Sequence, residues 1–491
     1  MHFSFTLNTG DKVAIIGEEG NGKSTLLKVI YDNSLLDRYA EYSGEIIKNN
    51  INIGYLRQEI TEIDMLKTVY EFFSDTHNFY YLTKKELSDI SKSLNISIET
   101  FYSEQRVKDL SGGEKVKIQF AKILIEKPDI LLLDEPSNDV DIEMIIWLEK
   151  FINSCKLPIM FVSHDETLLE KTANTIIHIE RIKRKTVPIH TISKTGYLEY
   201  INKRMKKLQH QEQVARKEKS EYDKQQEKFR RIQQKVEHQQ NTISRKNPHG
   251  GKLLKKKMHT IKSMGKRFEK KYENMTKIPS VEEAILIKFS DQIEIPNGKN
   301  VLEFFRKELK VSNRILAYNV KLAIRGAEKV CIIGKNGAGK TTLIKEILQE
   351  MKNCKNIKVA YMPQRYEDLL DDSKTPVEFL SKIGDKEEIS RICTYLGSLR
   401  FTIEEMYHKI SELSGGQKAK LILLNLSLSN YNVLILDEPT RNFSPLSNPV
   451  IRKILRDYTG AIISVSHDRK YIEEVCDTVY ELGENGLKKI T

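Results

Sequence analysis

Two short runs of this chain carry the glycines, the lysine and the hydroxyl needed to hold a row of phosphates. The first contains Gly17, Gly20, Asn21, Gly22, Lys23, Ser24 and Thr25. The second contains Gly334, Asn336, Gly337, Gly339, Lys340, Thr341 and Thr342. In the pattern G-x-x-x-x-G-K-[ST], the glycines let backbone N–H groups curl around phosphate oxygens, and the following helix turns its positive end toward them. The lysine reaches the outer phosphates, and the hydroxyl of Ser24 or Thr341 is a ligand for Mg²⁺. Each run is followed, further on, by an apolar stretch that ends in paired carboxylates, Asp134-Glu135 and Asp437-Glu438, with Pro136 and Pro439 next. The aspartate of such a pair can hold Mg²⁺ through a water, and the glutamate is placed to orient and polarise an attacking water. A Ser-His-Asp triplet stands 30 residues after each aspartate, with His164 and His467 at its centre. A lone histidine after an apolar strand is ordinarily a packed side chain. The repeat at one distance makes both candidates for sensing a terminal phosphate.

The elements that position these groups must themselves be duplicated. Leu110-Ser111-Gly112-Gly113-Glu114 is matched by Leu413-Ser414-Gly415-Gly416-Gln417, and from there to the histidine the copies keep a single offset of 303 residues. A buried-strand pattern starting at Lys12 and again at Lys329 leads into each phosphate loop, and an amphipathic helix leaves it. The expected fold is α/β: one nucleotide-binding domain over residues 1–195, a connector over 196–278 and a second domain over 279–491.

The connector has a different chemistry. The chain carries a net charge of +12, yet residues 201–270 alone hold 22 Lys and Arg against 7 Asp and Glu. The two flanking domains are therefore near neutral, and so one-sided a charge run points to a polyanionic partner. Ile201, Leu208, Ala215, Tyr222, Phe229 and Val236 recur every seven residues. After a break at Asn247-Pro-His-Gly-Gly251, a second series runs through Leu254, Ile261, Phe268 and Met275. Two thin apolar stripes around a turn signal predict a long antiparallel helical hairpin reaching about 60 Å beyond the domains. Its tip gathers Arg245, Lys246, Lys252, Lys255, Lys256 and Lys257, which suits the phosphate-rich, irregular surface of an RNA. No run of 18 apolar residues predicts a membrane helix, and the first residues lack the charged and apolar regions of a signal peptide. Five dispersed cysteines without metal-type spacing read as reduced thiols in a cytoplasmic protein.

Two intact motif sets, no membrane segment and a basic hairpin between them resemble the ABC-F family of ATPases over essentially the whole chain. The resemblance implies ATP and Mg²⁺ as cofactors, with Gln58 and Gln364 as the glutamines that join Ser24, Asp134, Thr341 and Asp437 around the metal. It implies that the two halves pair within one monomer. Ser111 and Gly113 would then cover the site built on Lys340, and Ser414 and Gly416 the site built on Lys23. Glu135 and Glu438 would act as bases, with His164 and His467 beside them. It further implies the ribosome as partner, bound through large-subunit rRNA and tRNA at the exit site, with no membrane subunit. The run Asp437-Glu-Pro-Thr-Arg-Asn-Phe-Ser-Pro-Leu-Ser-Asn448 is similar to members that protect ribosomes from lincosamides, streptogramin A types and pleuromutilins. Gln58 to Leu110 is 52 residues and Gln364 to Leu413 is 49, which leaves no room for the arm insertion of many housekeeping members. A general ABC-F translation factor and, more distantly, a tandem ATPase subunit of a transporter are the alternatives. Two departures stand out. The family's opening strand and adenine-stacking aromatic are missing before Gly17, so either the start lies upstream or the first site holds its nucleotide without that stack. The corresponding position in the second half falls near Val311, which cannot stack. Ser444 stands where an aspartate is usual.

Overall fold

A computed structural model describes residues 3–36, 44–181, 187–242, 248–273, 275–276, 287, 289, 295–296, 298–312, 314–354 and 357–490. They fall into two compact units. Met1–Tyr197 with Glu282–Thr491 holds both nucleotide-binding halves, and Leu198–Val281 is the connector.

The first half is built on β1 (Lys12–Ile16), β2 (Ile53–Leu56), β3 (Ile130–Asp134), β4 (Ile159–Val162), β5 (Thr175–Arg181) and β6 (Val187–Ser193), in the order β2-β3-β4-β1-β5-β6. All neighbours are parallel except β6, which runs antiparallel to β5. The second half begins with a two-stranded antiparallel sheet, β7 (Asn300–Val311) and β8 (Arg314–Arg325). It then repeats the first sheet with β9 (Lys329–Ile333), β10 (Val359–Met362), β11 (Val433–Asp437), β12 (Ala461–Val465), β13 (Thr478–Gly483) and β14 (Gly486–Lys489), in the order β10-β11-β12-β9-β13-β14. The central strands are unbroken apolar runs: Val13, Ala14, Ile15 and Ile16, and again Leu131, Leu132 and Leu133, are buried. Parallel strands covered on both faces require this. Register then does the positioning. Asp134 lies opposite Val162 and Asp437 opposite Val465, so each carboxylate meets the residues leaving the next strand at the carboxyl edge of its sheet.

The halves differ at their starts. Residues 3–11 form no strand, and Phe3, Phe5 and Leu7 instead pack against the core beneath β1. The β7–β8 sheet of the second half packs Leu316 and Leu309 against Gly339 of the phosphate loop.

In the connector, a 46-residue helix, Tyr197–Thr242, is followed by a 26-residue helix, Pro248–Glu273. At 1.5 Å per residue the longer one spans about 69 Å. They run antiparallel: Phe229 meets Phe268 at 5.3 Å between ring centroids, Tyr222 meets Tyr272 at 5.4 Å, and the Thr276 N–H donates to Glu218 at 2.7 Å. Ala215, Tyr222, Val236 and Ile261 are the buried members of the stripe. The expected break at 247–251 is not where the helices part, because the second helix already starts at Pro248 and takes in both glycines. Proline suits the first helical position, where its missing N–H costs nothing and its φ is preset. Lys252, Lys255, Lys256 and Lys257 are exposed on this helix, and Arg245 and Lys246 lie outside the described residues. Among the described residues no helix is long and apolar enough to cross a membrane.

Candidate active sites

Each phosphate loop leaves its strand through a glycine that nothing else could replace. Gly17 has φ 146°, and a Cβ there would collide with the Ile179 carbonyl. Gly334 has φ 148°, with the Leu482 carbonyl 2.7 Å from the corresponding point. The helices that follow begin at Lys23 and Lys340, each capped by a left-handed glycine, Gly22 or Gly339, with Thr25 and Thr342 in the first turn. Lys23 is buried and donates to the Gly17 and Glu18 carbonyls at 2.9 and 3.1 Å. Lys340 does the same to Gly334 and Lys335 at 2.7 and 2.9 Å. Both ammonium groups thus stand inside the curl of N–H groups that would hold phosphates.

The hydroxyl and the aspartate of each half meet. Ser24 donates to Asp134 at 2.8 Å and Thr341 to Asp437 at 2.9 Å. Burial raises both carboxyls by more than those hydroxyls lower them. A pair of hard oxygen ligands around a desolvated carboxylate fits Mg²⁺, which takes few protein ligands and completes its shell with water and phosphate oxygens. No group of three or more His, Cys, Asp or Glu among the described residues could form a dedicated metal cage. Tyr55 donates to the second oxygen of Asp134 at 3.1 Å, and its counterpart Tyr361 is held above its ordinary range by burial and then by Asp437. Sequence reasoning passed over this tyrosine, although it stands three residues before the glutamine in both halves. Gln364 lines a cavity with Asp437. Gln58 is exposed just beyond β2 and does not line the cavity at the first loop.

Glu135 and Glu438 both adopt left-handed backbone, at φ 50° and 54°, a region that side chains other than glycine seldom enter. Their surroundings then diverge. Glu135 lies 3.0 Å from Nε2 of His164, whose Nδ1 faces the carbonyl of Phe443 in the other half at 2.9 Å. Burial opposes the charge on Glu135, but His164 and Lys23 outweigh it and bring the carboxyl down to about 2. Glu438 is 3.7 Å from Nε2 of His467, whose Nδ1 is buried without a hydrogen-bond partner among the described residues. Burial pushes Glu438 up to about 8 against the backbone N–H of His467, and burial with Lys340 brings His467 down to about 4.

The signature serines are helix caps. Ser111 and Glu114 cap each other at the start of Gly112–Ile125, and Ser414 and Gln417 do so at Gly415–Ser427, which accounts for Glu or Gln three residues after the serine. Each signature lies against the other half's phosphate loop. A Cβ on Gly112 would stand 3.4 Å from the Asn336 amide, which itself donates to the Asp139 carbonyl at 2.6 Å. The Gly416 N–H donates to Glu19 at 2.6 Å, and Lys420 pairs with Glu18 at 2.6 Å. The cavity at the second loop is about 580 Å³ and that at the first about 280 Å³. Gly20, Asn21, Ser414 and Gly416 line the smaller one. Gly337, Lys340 and Thr341 line the larger, with Val311, Arg314 and Leu316 as a further wall. Ser111 and Gly113 do not line it, and a Cβ on Gly113 would instead meet Met144.

A second set of contacts joins the halves away from the loops. Arg452 grips Glu166 with two bonds, at 2.5 and 3.2 Å, and its Nε holds Glu474 at 2.9 Å. The positions 303 residues away carry the opposite charges: Glu149 pairs with Arg469 across the halves and with Lys171 at 3.1 Å within its own. Arg452, Glu166 and Glu474 are inverted at Glu149, Arg469 and Lys171, whereas Lys470, which also pairs with Glu166 at 3.3 Å, matches the uncharged Thr167. Sequence reasoning missed both, although the repeat offset applied to Glu149 and Glu166 gives Arg452 and Arg469.

Two α/β halves in one chain, each setting its phosphate loop against the other's signature, define a tandem ABC-type ATPase. The chain belongs to the ABC transporter family, whose sequence model matches residues 1–138 and 317–441. It is 30% identical to the ribosome protection protein VmlR of Bacillus subtilis, over 99% of this chain and 84% of that protein. It is 25% identical to ABC transporter F family member 5 of Arabidopsis thaliana, over 99% of this chain and 73% of that protein. Among solved structures, the archaeal ribosome recycling factor aABCE1, in complex with the stalk protein aP1, shares the fold with a TM-score of 0.59. The identity there is 18%, covering 98% of this chain and 85% of that one. The chain is an ATP hydrolase whose relatives over its full length are of the ABC-F type.

Proposed function

We propose that the protein is a ribosome-bound ATPase that shields the peptidyl-transferase centre from antibiotics of the lincosamide, streptogramin A and pleuromutilin kind. The observation that carries this reading is the full-length similarity to a protein named for ribosome protection, at 30% identity. The exposed lysines of a helical hairpin about 69 Å long support it, since they offer an rRNA or tRNA backbone a row of cations. Binding falls at the tRNA exit site, with Lys252, Lys255, Lys256 and Lys257 on RNA, in a monomer that works in the cytoplasm.

In the proposed cycle, ATP binds with its phosphates against Lys23 and Lys340. Ser24 with Asp134 and Thr341 with Asp437 would hold Mg²⁺, which would supply positive charge against the phosphate oxygens. Glu135 and Glu438 orient the attacking water, and His164 and His467 stand over the terminal phosphate. Closure of the halves on ATP favours the ribosome-bound form, and hydrolysis releases it. The double variant E135Q/E438Q removes both bases and keeps the phosphate contacts, so it should co-sediment with ribosomes in ATP at least as fully as the parent. A susceptibility panel in a drug-sensitive host tests the finer part. Absence of ATP-dependent co-sedimentation removes the ribosome from the reading, and ribosome binding without any change in susceptibility moves it to a general translation factor.

A further inference from the structure

The two phosphate loops differ in charge where they touch the opposite half. The second loop presents Lys335 and Asn336, and the first presents Glu18 and Glu19 at the matching places. An asparagine amide can donate, and Asn336 does so, to the Asp139 carbonyl at 2.6 Å. The carbonyl that matches Asp139 in the other half is that of Asn442, which lies 2.9 Å from the point where a Gly416 Cβ would stand. A glutamate carboxylate has nothing to donate to it. Glu19 takes the adjacent donor instead, the Gly416 N–H, at 2.6 Å. That N–H is in the first turn of the signature helix, where Ser414 already satisfies Gln417 and the Gly416 donor is left for an anion. Glu18 is fastened beside it by Lys420, the two side chains only 16% and 8% exposed.

We propose that Glu19 is an internal anion that competes with the terminal phosphate of ATP for the Gly416 N–H, so that the first site favours ATP over ADP less than the second site does. This rests on both loops binding ATP. A triphosphate entering the first site must displace the carboxylate or share its donor. A diphosphate is too short to reach the signature and meets no such competition. At the second site the neutral Asn336 leaves the signature of the first half to the phosphate.

The test uses the full chain with one site silenced at a time and titrates fluorescent MANT-ATP and MANT-ADP with Mg²⁺. In K340A, which leaves the first site, adding E19N should tighten ATP about tenfold, the worth of one charge-assisted hydrogen bond, and leave ADP within about twofold. E19Q, which keeps the length and loses the charge, should follow E19N. In K23A, which leaves the second site, N336E should weaken ATP by a similar factor and again spare ADP. Equal ATP affinity with and without E19N, or an equal gain for ADP, overturns the proposal and leaves the ATPase reading intact. Failure of both K340A and K23A to bind either nucleotide overturns the two together.

Discussion

Reversing one charge in the inverted clusters, with E166R, should push the two halves apart. Glu166 and Arg452 are 5% and 3% exposed, so the substitution sets two buried cations against each other. Breaking a buried pair by removing one partner costs about 3–5 kcal/mol. The lower end applies here, because Arg452 keeps Glu474, which is 38% exposed and partly solvated. Restoring the pair the other way round, in E166R/R452E, should recover at least about 2 kcal/mol as coupling between the two positions. The assay is denaturant unfolding of the full chain, followed by a probe in the ATPase pair, with the two single variants and the swap. The swap has a further consequence. In the parent, a first half meeting a first half of another chain would set Glu166 against Glu149, and two second halves would set Arg469 against Arg452. Like charges about 4 Å apart near a protein surface repel by about 4 kcal/mol each time. After the swap both halves carry Arg at 166 and 469 and Glu at 149 and 452, so contact between identical halves is no longer repelled. Sedimentation velocity should then show concentration-dependent association of E166R/R452E and none of the parent. A swap no more stable than E166R, or a parent that self-associates as readily as the swap, would refute the reasoning.

Two further outcomes follow from the geometry. G17A should abolish nucleotide binding at the first site, since a Cβ collides with the Ile179 carbonyl and φ 146° disfavours any side chain; MANT-ATP titration of G17A/K340A should give no signal. Replacing the exposed Lys255, Lys256 and Lys257 together by Gln should lower the slope of log ribosome affinity against log salt by about 2–3 while leaving ATP turnover in the free protein unchanged, as filter binding across a salt series will show.

What could be read from the sequence was whatever the local backbone dictates. The glycines of the loops, the apolar strands ending in Asp134 and Asp437, and the cap residues of the signature helices each act within a few residues of themselves. Their spacing therefore carries the fold of both halves and the likeness to ABC ATPases. The paired stripes of the connector were legible for the same reason, because Tyr222, Phe229 and Phe268 repeat at the helical period that brings them together. The contacts across the halves were not legible in this way. Arg452 means nothing until Glu166, 286 residues away, is known to face it, and Glu19 looks like an ordinary loop residue until Gly416 is beside it. The break was placed over Pro248–Gly251, which the second helix takes in, because Pro248 both interrupts a helix and starts one well, and the sequence signal is the same in either case.

One departure in the second half links several features of the first site. After Asp141 the first half enters a helix at Ile142, with the Asp141 side chain capping Met144. At the matching place the second half has Ser444 and then Pro445, which lacks an N–H and restricts the residue before it, so its helix starts only at Asn448. The intervening residues stay in a loop closed on itself by Ser444 and Ser447 at 3.0 Å. That loop brings the Phe443 carbonyl to His164 and accepts the Tyr197 hydroxyl at Pro445. His164, fixed from behind, holds Glu135 at 3.0 Å, whereas His467 faces Glu438 at 3.7 Å with its other nitrogen unpartnered among the described residues. The neighbouring residue Asn442 matches Asp139, whose carbonyl Asn336 bonds, but Glu19 has no donor for it and takes the Gly416 N–H instead. The first site is therefore tighter around its glutamate and more anionic at its loop than the second. The first property traces to how the other half's chain leaves its Asp437 strand, whereas the second is carried by Glu18 and Glu19 of the first loop and takes effect only against Gly416 and Lys420 of the other half.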